Sequence, residues 1–139
     1  MAATPPPIQV HLCVQGAEDA IVFYEKAFGG ECIFKRLADD GKRVLHARMA
    51  LFDSEIMMHD EFPEYRGHLM SPLSRGGASI AININLAAPS AVDAAVARAE
   101  KAGAEVIFHA SDMFWGARYG QVRDPFGHNW AFNAPLRTA

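Results

Sequence analysis

The sequence predicts an α+β domain of two tandem βαβββ modules whose sheets curve around a cavity, and three observations carry that prediction. The apolar period runs from alternating to helical and back to alternating, and it does so twice along the chain. The two passes share letters as well as order. Glu25-Lys26-Ala27 closes the first helical stretch and Glu100-Lys101-Ala102 the second, while Ile33-Phe34 opens the next strand as Ile107-Phe108 does later. The offset is 75 residues at the helices and 74 at the strands, and a match of letters with a match of element order marks an internal repeat. Between the passes, residues 60–78 (DEFPEYRGHLMSPLSRGGA) hold two Pro, three Gly and no sustained period. One domain over residues 8–133 is therefore expected, with modules at 8–59 and 79–133 joined by a long loop at 60–78. A loop of that length inside a compact domain is usually functional or mobile.

Each element has its own local reason. Pro5-Pro6-Pro7 forms a stiff extended leader. Residues 8–14 alternate Ile8, Val10, Leu12 and Val14 against Gln9, His11 and Cys13, which is a strand with one apolar face. From Ala17 the spacing of Ala20, Ile21, Phe23, Tyr24, Ala27 and Phe28 becomes helical, Glu18 and Asp19 sit near the positive N-terminal end, and Gly29-Gly30 stops the helix. Residues 32–37 and 43–51 pair as a hairpin around Asp39-Asp40-Gly41-Lys42, and Asp53-Ser54 turns the chain into a strand at 55–59. In the second module residues 79–86 alternate Ile80, Ile82, Ile84 and Leu86 against Ser79, Ala81, Asn83 and Asn85. Pro89 and Ser90 open a helix with Ser90 and Asp93 at capping-box spacing, and Gly103 ends it. Strands follow at 106–109, 118–123 and 128–133. The last two flank Asp124-Pro125-Phe126-Gly127, which fits a type I turn position by position.

Composition narrows the function classes. A chain of 139 residues can bury a core without staples, and half of it is apolar. A formal net charge of −3 leaves no basic footprint for nucleic acid. No apolar run reaches the roughly 20 residues of a membrane helix, and MAATPPPIQ lacks the regions of a secretory signal, so a cytoplasmic location without membrane association is expected. The two cysteines, Cys13 and Cys32, stand in apolar runs without C-x-x-C spacing and read as buried free thiols.

Paired βαβββ modules, the segment AIVFYEKAFGG and the ending DPFGHNW together resemble the vicinal oxygen chelate superfamily of glyoxalases, bleomycin-resistance proteins, extradiol dioxygenases and fosfomycin-resistance enzymes. Within it, FWGARYGQVRDPFGHNW and SEIMMHDEFP are most similar to the PhnB-like branch. The resemblance implies a homodimer and a small organic molecule as ligand. Its metal enzymes place ligands on the first and last strands of each module. Those places fall here on Gln9, on Met58 or His59, on Ser79 and on Ala131, where a metal enzyme shows Glu. A catalytic metal takes about three protein ligands, so the usual divalent metal site is expected to be missing and no cofactor is expected. A methyltransferase is not expected either, because no glycine-rich nucleotide turn opens a helix.

The candidate residues follow from strand faces and chemistry. His59 is the candidate catalytic base, as in a glyoxalase-like lyase or isomerase, with Gln9 oriented toward the substrate. His46 shares the first sheet with it, and His11 lies in the pocket if its strand face looks into the concavity. The alternative for each is a hydrogen-bonded or exposed imidazole without chemistry. Ser79 and Asn83 sit on a small polar strand face that reads as ligand-holding or merely solvated, and Met58 reads as adaptable lining or core filler. Trp115, Arg118 and Trp130 are candidate pocket walls. An aromatic ring and a guanidinium together hold planar or anionic molecules, but Arg118 can equally pair with Asp112 or Asp124. The group Asp60, Glu61 and Glu64 would attract a cationic ligand, which fits a second reading as a non-catalytic protein that sequesters an antibiotic or metabolite in the manner of bleomycin-resistance proteins.

Overall fold

The computed structural model describes residues 6–137, so Pro5 of the leader lies outside the described residues. The first module runs β1 (His11–Val14), α1 (Ala17–Phe28), β2 (Glu31–Leu37), β3 (Val44–Leu51) and β4 (Ser54–Asp60). The second runs β5 (Ala81–Asn85), α3 (Pro89–Ala102), β6 (Glu105–Asp112), β7 (Ala117–Arg123) and β8 (Asn129–Pro135). Their sheets have one topology, β1-β4-β3-β2 and β5-β8-β7-β6, in which the opening strand lies parallel to the closing strand and the other pairings are antiparallel. The α+β class and the repeat therefore hold. The linker contains a short helix that periodicity missed, α2 (Pro72–Arg75), started by Ser71, whose side chain accepts from the Ser74 N–H.

The core is where the two modules meet. Each sheet turns one face toward helices, and α1 lies against α3, so the buried residues of both modules form a single cluster. Phe28 of α1 sits 4.6 Å from Trp130 of β8, centroid to centroid. Two buried carboxylates tie these layers. Asp60 at the end of β4 accepts the Gly16 and Ala17 N–H groups at 2.9 and 2.8 Å and the Val44 N–H at 2.7 Å, so the first turn of α1 is capped from β4. Asp124 accepts the Phe126 and His128 N–H groups through one oxygen, and Tyr24 Oη–H at 2.5 Å and Trp130 Nε1–H at 2.9 Å through the other. The expected type I turn is present, closed by Gly127 N–H to the Asp124 carbonyl at 3.0 Å. Its carboxylate also clamps α1 of the other module.

Several expected boundaries and faces shift. The first strand begins at His11, and β5 at Ala81, which leaves Ser79 exposed in the linker. The capping box at Ser90 does not form. Ala88 is the N-cap of α3, Pro89 starts the helix, and Asp93 instead receives the Arg118 guanidinium. The aromatic rings of the last hairpin, Tyr119, Trp130 and Phe132, divide between the two faces of the sheet. Register pairs Tyr119 with Asn133, Gly120 with Phe132 and Val122 with Trp130. Trp130 and Phe132 thus share the helix-facing side with Gly120 and Val122, and Tyr119 points the other way.

Candidate functional site

Among the described residues each sheet has a second face that neither long helix covers, and most of the candidate residues that remain accessible lie on these two faces. On the first sheet the register sets two rows across the strands. One row is Phe34, Arg48, Met57 and His11; the other holds Arg36 opposite His46, and His59 opposite Cys13. Residues opposite one another on neighbouring strands share a face, which brings three imidazoles together. The His11 ring lies 4.7 Å from that of His59 and 5.8 Å from that of His46, edge-on in both cases. Partial burial, then the positive charges that His59 and His46 would carry, hold His11 below the usual histidine range. Nδ1 of His59 lies 2.6 Å from the Asp60 carbonyl oxygen, which only accepts. In the neutral ring that bond assigns the proton to Nδ1 and leaves the lone pair on Nε2.

Gln9 stands at one end of this face, where its Nε2 donates to Glu55 at 3.2 Å, and Glu55 also accepts from Arg48. The linker closes the other end. Phe62 is buried, its ring 6.4 Å from that of His59 and beneath the Arg43 guanidinium. Cys13 is only 4% exposed, its thiol directed at the Leu69 carbonyl. Burial, then Glu61 and Asp60, push that thiol up to about 11, which makes it inert near neutral pH.

The open face of the second sheet is aromatic and amide-rich. Phe108, His109, Ser111, Met113, Trp115 and Tyr119 line a basin of about 340 Å³. Trp115 packs edge-on against Tyr119 at 5.5 Å and donates from Nε1 to the Asn133 side chain at 3.3 Å. Asn83 is exposed on β5 of the same sheet and bonds Asn85. Among the described residues no ring of this basin lies against a ring of the histidine group, and no strand of one sheet pairs with the other. One chain thus carries two separate open faces rather than one cavity between its own sheets.

Three expected pocket residues are corrected. Met58 and Trp130 are fully buried on the helix-facing sides of their sheets, since each alternates with an open-face neighbour, His59 and Ala131 respectively. Arg118 also points toward α3. It binds Asp93 through Nε and Nη2, Asp112 at 2.8 Å and the Ala110 carbonyl, so its pairing with Asp112 is realised and its donors are spent away from Trp115. The acidic group is likewise spent: Asp60 caps α1, Glu61 binds Ser71 and Ser74, and Glu64 pairs with Arg43 at 2.6 Å. Reading single residues missed Arg36, Arg48, Phe34 and Phe108. The Asp39-Asp40-Gly41 turn was the available signal for the first three, because a hairpin turn sets which residues face one another.

The family's metal places do not fit a metal here. Gln9 is bonded to Glu55, Ser79 is out on the linker, Ala131 offers no donor atom, and of Met58 and His59 the first is in the core, which leaves the His59 imidazole as the one uncommitted donor among these places. Among the described residues no group of three His, Cys, Asp or Glu side chains converges as ligands would.

Comparison with known proteins agrees with this architecture. The model of the Glyoxalase/Bleomycin resistance protein/Dioxygenase superfamily matches residues 7–132. An uncharacterized protein of Mycobacterium bovis is 38% identical over 133 residues, which span 95% of this chain and 85% of that protein. The crystal structure of an Arabidopsis thaliana gene product superposes with a TM-score of 0.70 at 27% identity, covering 91% of this chain and 97% of that one. A PhnB protein from Bacillus cereus superposes at 0.65 with 16% identity, covering 93% and 99%, a likeness of fold.

Proposed function

The chain belongs to the glyoxalase/bleomycin resistance protein/dioxygenase superfamily, and on that premise we propose that it binds a small organic molecule on its open strand faces, in a cavity completed by a second copy of itself. The observation that carries this reading is the pair of uncovered faces. Binding sites are concave and largely apolar with a few convergent polar groups, and each face supplies half of that description. The first brings three imidazoles and two guanidiniums; the second brings Phe108, Trp115 and Tyr119. Both leave large apolar side chains in water, with Phe34 41%, Phe108 57%, Trp115 49% and the neighbouring Phe114 94% exposed. Exposed apolar surface of this kind marks an interaction site. A homodimer that lays the histidine face of one chain against the aromatic face of its partner buries both and encloses the ligand.

His59 favours a second, catalytic reading. Its Nδ1 bond to a backbone carbonyl presents Nε2 as a base, which suits metal-independent proton transfer in a lyase or isomerase. Sequestration without turnover needs no such group, and the spent carboxylates of the linker give a cationic antibiotic no charge to meet. A thermal-shift screen of a metabolite and antibiotic library against wild type and a His59→Gln/Trp115→Ala variant tests the proposal. Hits are expected to raise the wild-type midpoint, as any ligand of the native state must, and to lose that effect in the variant. Hits that stabilise both proteins equally, or a library without hits, would overturn it. Turnover of a hit that stops in His59→Gln distinguishes the catalytic reading from sequestration.

A further inference from the structure

We propose that the ligand is an anion: the histidine face takes the carboxylate of a small organic acid whose apolar body lies along Phe34 and Met57 toward the partner's rings. This deepens the reading above and rests on it. Its basis is an imbalance of charge on one side of one sheet. Arg36 lies opposite His46 in the register, beside His59 and His11, and among the described residues Arg36 has no ion-pair partner. The carboxylates of this face, Glu31 and Glu55, stand in the row of Ala50, at the far end beyond Arg48. Glu55 is already taken by Arg48 and Gln9.

Among the described residues no neighbouring element restores the balance. From the linker, Glu61 is held by Ser71 and Ser74, and Glu64 by Arg43. Asp60 turns to the helix side. Cys13, the remaining titratable group of the face, is a neutral thiol. A second copy brings amides and rings, because on its second sheet Asp112 is bound to Arg118 and Glu105 to Arg123. The cationic end of the face is therefore left for a solute, and Arg36 with the imidazoles is a donor set that fits a carboxylate.

The same geometry couples binding to protonation. Partial burial, then the charges that His59 and His46 would carry, disfavour a proton on His11. An anion placed among the three rings reverses that penalty, so the complex takes up a proton that the free protein lacks.

Benzoate, benzamide and benzamidine share one ring and differ in charge, which makes them the probes. The full chain, labelled with nitrogen-15, is titrated with each while the imidazole nitrogens are followed by NMR. Benzoate is expected to shift the His11, His46 and His59 ring nitrogens saturably, with affinity falling about tenfold per pH unit above the histidine range, as uptake of one proton requires. Benzamide is expected to bind at least about tenfold more weakly, the value of one charge-assisted contact. Arg36→Gln, an exposed substitution, is expected to weaken benzoate by a similar factor and to leave benzamide unchanged. Benzamide or benzamidine binding this face as tightly as benzoate would remove the charge preference, as would benzoate leaving every imidazole unshifted at millimolar concentration. Those outcomes leave the small-molecule reading standing, since only the library screen with the His59→Gln/Trp115→Ala variant removes it.

Discussion

At the scale of single residues, position on a strand decides what a side chain does, and chemistry decides only afterwards. His11 illustrates this, for its interest comes from having His59 and His46 as neighbours. Its lowered pKa carries a definite sign. The unfolded chain binds the His11 proton more tightly than the folded one, so stability rises with pH through that range and is lost as pH falls below about 6.5, the ordinary histidine value. Urea unfolding at pH 7 and pH 5 is expected to show a smaller loss in His11→Gln than in wild type; equal losses would contradict the burial and, after it, the repulsion that disfavour the His11 proton. Tyr24 is the corresponding case in the core, where burial and the Asp124 charge push its phenol far up and keep it a donor. Tyr24→Phe leaves one Asp124 oxygen with a single partner and is expected to cost about 1–3 kcal/mol in the same measurement. The histidines were legible as candidates in the sequence, and so was Trp115. Met58, Trp130 and Arg118 were not legible as core and helix-facing residues, because a face is assigned by register and a shift of one residue reverses it.

At the scale of elements, the period of apolar residues was a sound guide to both long helices and all eight strands, while the ends and the linker escaped it. The linker is held by polar contacts that have no period. Glu61 accepts from Ser71 and Ser74, joining the start of the linker to the start of α2, and those bonds keep its carboxyl below the usual range. This closure holds Leu69 over Cys13. Glu61→Ala is therefore expected to speed alkylation of Cys13, read by mass spectrometry on the intact protein, while wild type labels at Cys32 first; an unchanged Cys13 rate would show that the linker is held by other contacts. The contact of α3 with its sheet depends on a missing side chain. A Cβ on Gly120 would stand 2.7 Å from Val96 Cγ2 and 3.4 Å from the Ala110 backbone. Gly120→Ala is expected to cost about 1–3 kcal/mol by overpacking, with no change expected at the open faces.

At the scale of the whole molecule, the repeat was legible in the matched letters of its halves, but the way the halves dock was not. Periodicity marks which residues are apolar, and both modules have an apolar face to bury. It does not say whether the sheets of one chain meet each other or whether the helices do. Here α1 and α3 meet, Tyr24 and Phe28 reach across to Asp124 and Trp130, and the two remaining faces stay open. Each chain therefore presents two open faces, and the cavity completed by a second copy is the proposal built on them. Sedimentation is expected to show a dimer that Phe108→Ser/Trp115→Ser converts to a folded monomer. A crystallographic fragment screen of the full chain tests the central claim most directly, because it presumes neither ligand nor reaction. Fragments are predicted to gather against His11, His46 and His59 and in the basin of Phe108, Trp115 and Tyr119. Fragments confined to the groove of Phe28, Phe52, Leu86 and Arg98 between the helices, with both strand faces bare, would contradict the claim that this protein works through its open sheets.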